Sequence, residues 1–171
     1  MPRVPGKGHE ALRRGRWSES DAEYFLTICT SQHLGGLTAP NLLAAVLGQL
    51  ETLEAEQIWQ VRTATVMPDH VHLLIALGKS AELSGSIRLF KGRLAPALRS
   101  DGLRWERGYY DHRMRSDGDR LPFFLYIFLN PYRENLTTIG QPWPGYVCAD
   151  RDWSWFGTLT DKACPFPEWL H

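Results

Sequence analysis

The chain has 171 residues, 43% of them hydrophobic, which suits a single domain able to bury its own core. Lys and Arg number 19 and Asp and Glu 19, so net charge is zero and by itself points to no nucleic-acid partner; no apolar run approaches the length of a membrane span. Three scattered cysteines (Cys29, Cys148, Cys164) lack metal-ligand spacing, and the basic N-terminus lacks an apolar signal core, so the expected setting is a reducing cytoplasm with no export and no disulfide framework.

The distribution of charge says more than its sum. Residues 1–16 hold five Lys/Arg against one acid, and residues 87–115 hold eight against three. The stretches 17–86 and 116–171 are acidic. Two basic segments in an acidic chain can make a local anion-binding surface, or they can be a solvated arginine-bearing helix and its loop.

In chain order, residues 1–20 read as a basic arm. Residues 23–30 (EYFLTICT) are β-branched and aromatic, a first strand. After Gly35-Gly36, the residues Leu42, Leu43, Val46, Leu47, Leu50 and Leu53 form one helical stripe, with Thr38 as N-cap and Pro40 in the first turn. Residues 58–67 and 70–77 form a hairpin about Pro68-Asp69. Ser80 opens a second helix, with Leu83, Ile87, Phe90 and Leu94 inward and Arg88, Lys91 and Arg93 off that stripe; Pro96 kinks or ends it. Residues 105–115 fit a fourth strand. This βαββαβ order predicts an α+β, ferredoxin-like (RRM-like) antiparallel sheet with helices on one face and the other face open for a site. Residues 121–129 (LPFFLYIFL) read as strand by composition and as a helix start from Asp117, Asp119 and Pro122. Residues 140–171, rich in Trp and Pro, wrap a single domain spanning 1–171.

Strand alternation puts His70, His72 and Leu74 on one face and Val71, Leu73 and Ile75 on the other. If the latter face meets the helices, both imidazoles project onto the open face. Neighbouring same-face histidines can aim two nitrogens at one metal ion, although hydrogen-bonded histidines account for most such pairs.

The stretch VMPDHVHLLI (66–75) is very similar to the His-hydrophobe-His (HUH) motif of single-tyrosine transposases. Downstream, YIFLNPYR (126–133) resembles that family's Y-I-x-x-N-P-x-R/K tyrosine segment, and WERGYYDHRMR (105–115) its W-x-x-G-Y-x-D-H segment. DWSW (152–155) resembles an element of the REP-associated tyrosine transposases. The motifs stand in the family's order, with weaker likeness in residues 15–30. The chain thus resembles a REP-associated tyrosine transposase.

The resemblance implies that residues 121–130 are an added catalytic helix on the open face. It implies Tyr126 as nucleophile, with His70, His72 and Asn130 holding Mg²⁺ or Mn²⁺. Tyr126 and Asn130 would share a helix face as i and i+4, although Pro131 disfavours helix at Asn130. The implied substrate is single-stranded DNA bearing hairpins, cut through a 5′-phosphotyrosine. Arg88, Lys91, Arg93 and the arm's Arg13, Arg14 and Arg16 are candidate phosphate contacts, Tyr109 and Tyr110 candidate base-stacking platforms, and His112 a candidate accessory base. Monomer and homodimer are both open.

The chain departs from the family pattern in the apolar Phe128-Leu129, in YRENL (132–136) where V-R/K-A-G-L is commoner, and in its neutral charge. Two rival readings stand beside it. One is an unrelated H-x-H metalloenzyme, which needs a carboxylate or third histidine beside the pair and leaves Tyr126 buried. The other is a non-catalytic single-strand or hairpin-binding module with no metal requirement.

Overall fold

The computed structural model describes residues 21–115 and 120–171, so the arm with Arg13, Arg14 and Arg16, and the positions of Asp117 and Asp119, lie outside the described residues. The elements are β1 (Glu23–Cys29), α1 (Pro40–Ala55), β2 (Trp59–Val66), β3 (His70–Leu77), α2 (Leu83–Ser100), β4 (Tyr110–Arg113), α3 (Arg120–Arg133), β5 (Tyr146–Cys148) and α4 (Asp150–Phe156). The antiparallel sheet has the order β4-β1-β3-β2-β5, the ferredoxin-like arrangement with one extra edge strand. Among the described residues no helix is long and apolar enough to cross a membrane.

Two cores sit on opposite faces of this sheet. Leu26, Ile28, Val71, Leu73 and Ile75 meet Leu42, Val46, Leu50 and Leu53 of α1 and Ile87, Phe90 and Leu94 of α2. Phe25 and Leu74 meet Phe124, Ile127 and Phe128 of α3 and Phe156 of α4. The β2–β3 connection is the expected tight turn, closed by the Met67 N–H donating to the His70 carbonyl at 2.8 Å.

The structure departs from the sequence reading in several details. The fourth strand is four residues long, with Trp105 only bridging Thr30, because residues 104–106 hydrogen-bond the end of β1 instead. The N-cap of α1 is Ala39, with no side-chain cap, and Pro40 opens the helix. Residues 120–133 are helical despite a strand-like composition: Phe124, Ile127, Phe128 and Pro131 recur at helical spacing, and all are buried. Both helices run through a proline. In α2 the Pro96 ring is exposed and the carbonyl four residues back belongs to Gly92, while buried Leu94 and Leu98 hold the helix on the core to Ser100. In α3, buried Pro131 lies in the last turn, and the Glu134 N–H donating to the Asn130 carbonyl at 3.0 Å carries helical bonding past it.

Candidate active site

Cross-strand pairing sets Thr27 of β1, His72 of β3 and Thr65 of β2 side by side, with Tyr110 of β4 beyond Thr27 and His70 one pleat along β3. The two imidazoles converge, their Nε2 atoms 3.0 Å apart. Each Nδ1 is engaged behind: His70 with the Asp69 carboxylate at 2.7 Å, His72 with the Thr27 hydroxyl at 2.9 Å. Burial works to raise the Asp69 carboxyl, but its bonds to His70 and His33 outweigh that and hold it below the usual carboxylate value. A carboxylate only accepts, so His70 Nδ1 carries a proton. Burial, assisted by neighbouring His70, pushes His72 down to about 3, so its imidazole is neutral at ordinary pH.

The helix α3 brings Tyr126 over this pair, with its ring 5.1 Å from that of His72 and 5.8 Å from that of Phe25. Tyr126 is 40% exposed, unlike the buried Phe124, Ile127 and Phe128 around it in sequence. The helix's other tyrosine is a different case. Tyr132 is buried, donates to the Gln141 carbonyl and is pushed up to about 12, first by burial. Cys29, cross-strand from His70, is likewise pushed up to about 11, by burial and then by Glu106 and Asp69, and stays a thiol. Asn130 lies one turn beyond Tyr126 and is 8% exposed. His112 is stacked on Phe123, ring to ring at 5.4 Å.

The donor set fits a divalent ion. Two nitrogens each about 2.1 Å from one cation, at right angles to it, stand about 3.0 Å apart, as the two Nε2 atoms do. Among the described residues no three His, Cys, Asp or Glu side chains cluster for a metal. Thr65 keeps its hydroxyl buried beside His72 with no hydrogen-bond partner among the described residues.

The basic candidates separate. Arg93 is committed to Glu56, both of its contacts at 2.9 Å, and Lys91 donates to the carbonyls of Glu106 (2.8 Å) and Gly108 (2.7 Å), pinning the loop after α2. Arg88 is exposed and shares a groove of about 680 Å³ with Arg99, Arg104 and Arg107, none of which has an acidic partner among the described residues. The charge tally flagged this segment but could not sort which cations face outward. Tyr109 lines that groove under Lys91, whereas Tyr110 stands on the opposite side of the strand, 6.2 Å from Phe25.

The DWSW segment has a structural role. Asp152 is 1% exposed and accepts two bonds from Arg62, both 2.6 Å, while Arg62 also donates to Glu23 and Arg120 bonds the same glutamate at 3.1 Å. This cluster ties α4 and the start of α3 to β1 and β2. Sequence reasoning missed Thr27, Arg62 and Asp69's bonds to its neighbours; the register of β1 against β3 was the only signal for the first.

The family model "Transposase IS200 like" matches residues 19–116. A Haemophilus influenzae protein named for the REP-associated tyrosine transposases is 26% identical over 103 residues, an alignment that takes in 51% of this chain and 57% of that relative. The chain thus spans little more than half the length of the curated relative it matches. Its fold is similar to that of a solved REP-associated tyrosine transposase bound to a REP hairpin, with a TM-score of 0.68 at 17% identity over 89% of this chain and 93% of the other. The HUH strand, its hairpin and the fourth-strand segment all fall inside the matched region, and the chain belongs to the IS200-like transposase family.

Proposed function

We propose that this protein cuts and rejoins single-stranded DNA next to a hairpin, with Tyr126 as nucleophile. The observation that carries the reading is an exposed tyrosine held over two converging imidazoles by a helix that buries Phe124, Phe128 and Tyr132. The Tyr126 oxygen attacks the scissile phosphorus; the P–O3′ bond breaks, leaving a 5′-phosphotyrosine, and the departing O3′ takes up a proton. The phenol's proton goes to a base, for which His112, stacked on the first turn of the same helix, is the candidate. A phenolate also leaves well, so an incoming 3′-hydroxyl reverses the step and joins a second end without external energy. His70 and His72 present Nε2 to one point, and Asn130 would supply an amide oxygen as third ligand to a bound ion. A bound Mg²⁺ or Mn²⁺ would supply Lewis-acid neutralisation of the phosphate charge.

The stem of the hairpin fits the groove of Arg88, Arg99, Arg104 and Arg107. Its floor includes the small residues Gly92 and Ala95, so a phosphate backbone can come close to α2. Residues 104–106 also hydrogen-bond Cys29 and Ser31 at the end of β1, next to His70, so a strand leaving the groove passes to the histidine pair around one loop.

Incubation with hairpin-bearing single-stranded DNA and Mn²⁺, followed by a denaturing gel, tests the reading. A protein–DNA adduct is expected that is absent in Tyr126→Phe; an adduct that persists in that variant rules Tyr126 out as nucleophile. For the groove, Arg99→Gln with Arg104→Gln should weaken hairpin binding and flatten its log-log salt dependence by about 2, one phosphate contact per arginine.

A further inference from the structure

We propose that a second cavity, on the side of α3 turned away from Tyr126, binds a quaternary ammonium group. The cavity has a volume of about 310 Å³, and its walls are Phe128 and Tyr132 of α3, Trp143, Tyr146 of β5 and Trp153 of α4, with exposed Asp150 beside them. Phe128 and Tyr132 follow Tyr126 by two and six positions, which puts them across the helix from it. The other three rings come from residues 140–171, whose aromatic content the DNA-cutting reading leaves unused. Among the described residues no lysine, arginine or histidine lines this cavity, in contrast with the arginine-bearing groove on α2.

The walls offer π-electron density and little hydrogen bonding. Tyr132 donates to the Gln141 carbonyl, the Tyr146 oxygen accepts from Thr63, and the Trp143 N–H donates to the Val66 carbonyl, each at 3.0 Å. With those polar tips engaged elsewhere, the cavity meets rings. The two indoles are also held in place. A Cβ at Gly145 would stand 2.8 Å from Trp143 Nε1, and one at Gly157 would stand 2.7 Å from Trp153 Cε2, so each indole lies against a glycine. A cage fixed beforehand loses little conformational freedom on binding. Asp150 adds the only formal charge in the lining. No salt bridge among the described residues reaches it, and its neighbour Arg151 turns instead to Gln60 at 2.9 Å and Asp152 at 3.9 Å.

Aromatic rings beside an unpaired carboxylate select a cation, and the engaged polar tips select its kind. A primary ammonium or a guanidinium carries several N–H donors, most of which would go unmet here; a quaternary ammonium carries none. A nucleobase could stack on the same rings, but it brings phosphates, and the one lining charge repels them.

Choline and its uncharged isostere 3,3-dimethyl-1-butanol test this on the full chain, since they share a shape and differ in charge. Titration calorimetry should give choline a Kd of about 1 mM or tighter and the alcohol one roughly tenfold weaker or more. In ¹⁵N–¹H spectra choline should move the indole signals of Trp143 and Trp153. Asp150→Asn, at an exposed position, should weaken choline by about tenfold; Trp153→Leu should weaken it at least as much, and Trp153→Phe should recover part of the loss. A trimethyllysine peptide separates the sources of the group: tighter binding than choline assigns a modified protein side chain, weaker binding a free small molecule. Equal binding of choline and the alcohol, no choline binding, an Asp150→Asn variant that binds choline as wild type does, or a deoxynucleoside that moves the two indole signals at lower concentration than choline overturns the proposal.

Discussion

The face of the sheet beneath α1 and α2 carries Leu26, Ile28, Val71, Leu73 and Ile75, each 0 to 1% exposed, in one continuous apolar core. The opposite face, made by the alternate residues of the same strands, carries Thr27, His70, His72 and Thr65 beside Phe25 and Leu74, roofed by α3. The first face is arranged for stability. The second sets aside some of that apolar burial, keeping a neutral imidazole inside and a hydroxyl unpartnered among the described residues. Strand alternation is what allows one sheet to do both, because neither face's side chains intrude on the other.

Variants can break that comparison at several points. The largest effect is expected where the functional face is anchored: Asp152→Ala leaves buried Arg62 without its bidentate partner and should cost about 3–5 kcal/mol in urea unfolding. Next, Leu73→Ala should destabilise by about 2–5 kcal/mol while the folded protein keeps its Mn²⁺ affinity. His72→Leu should do the reverse, changing stability by about 1 kcal/mol or less and abolishing metal binding; a large loss of stability in that variant would show the histidine to be a core residue first.

The pH dependence of stability sharpens the same contrast. His72 sits near 3 in the folded chain, below the ordinary histidine value, so the unfolded chain takes up its proton first on acidification. Its contribution is therefore intact above about pH 6.5 and is lost as pH falls toward 3, by a few kcal/mol at most. Metal-free wild type should show this decline, and metal-free His72→Leu should show a flatter one over the same window. The smallest effect is expected at the edge of the site. Tyr110→Ala removes an exposed ring, leaving stability within about 0.5 kcal/mol, and weakens single-strand binding by roughly 1 kcal/mol if the ring stacks on a base.

Much of the site was legible in the chain because its information is local. His70 and His72 share a face by alternation alone, and Pro68-Asp69 announces the turn that starts their strand. Other parts were legible only as types. The basic run at 87–115 could be counted, but Arg93 turning to Glu56, Lys91 turning to three loop carbonyls and Arg88 facing the groove depend on which neighbours each side chain meets. Proline misled for a similar reason. At Pro96 and Pro131 local rules favour a break, yet burial of Leu94 and Leu98, and of Phe128 and Tyr132, holds both helices through it.

By itself the sequence determined the first four strands and the two helices between them, the pairing of the two imidazoles on one face, and the candidate tyrosine, since each follows from periodicity or a short motif; it left α3 between strand and helix and did not show β5 or α4. Thr65 and Asp69 reach the histidines locally, Thr65 across the β2–β3 hairpin and Asp69 as the residue before His70. Tertiary structure alone decided that Thr27 lies beside His72 and that Tyr126 stands exposed over the pair while Tyr132 is buried. Those facts depend on the register of β1 against β3 and on how α3 lies across the sheet, which join residues far apart in the chain, separations that no local pattern encodes.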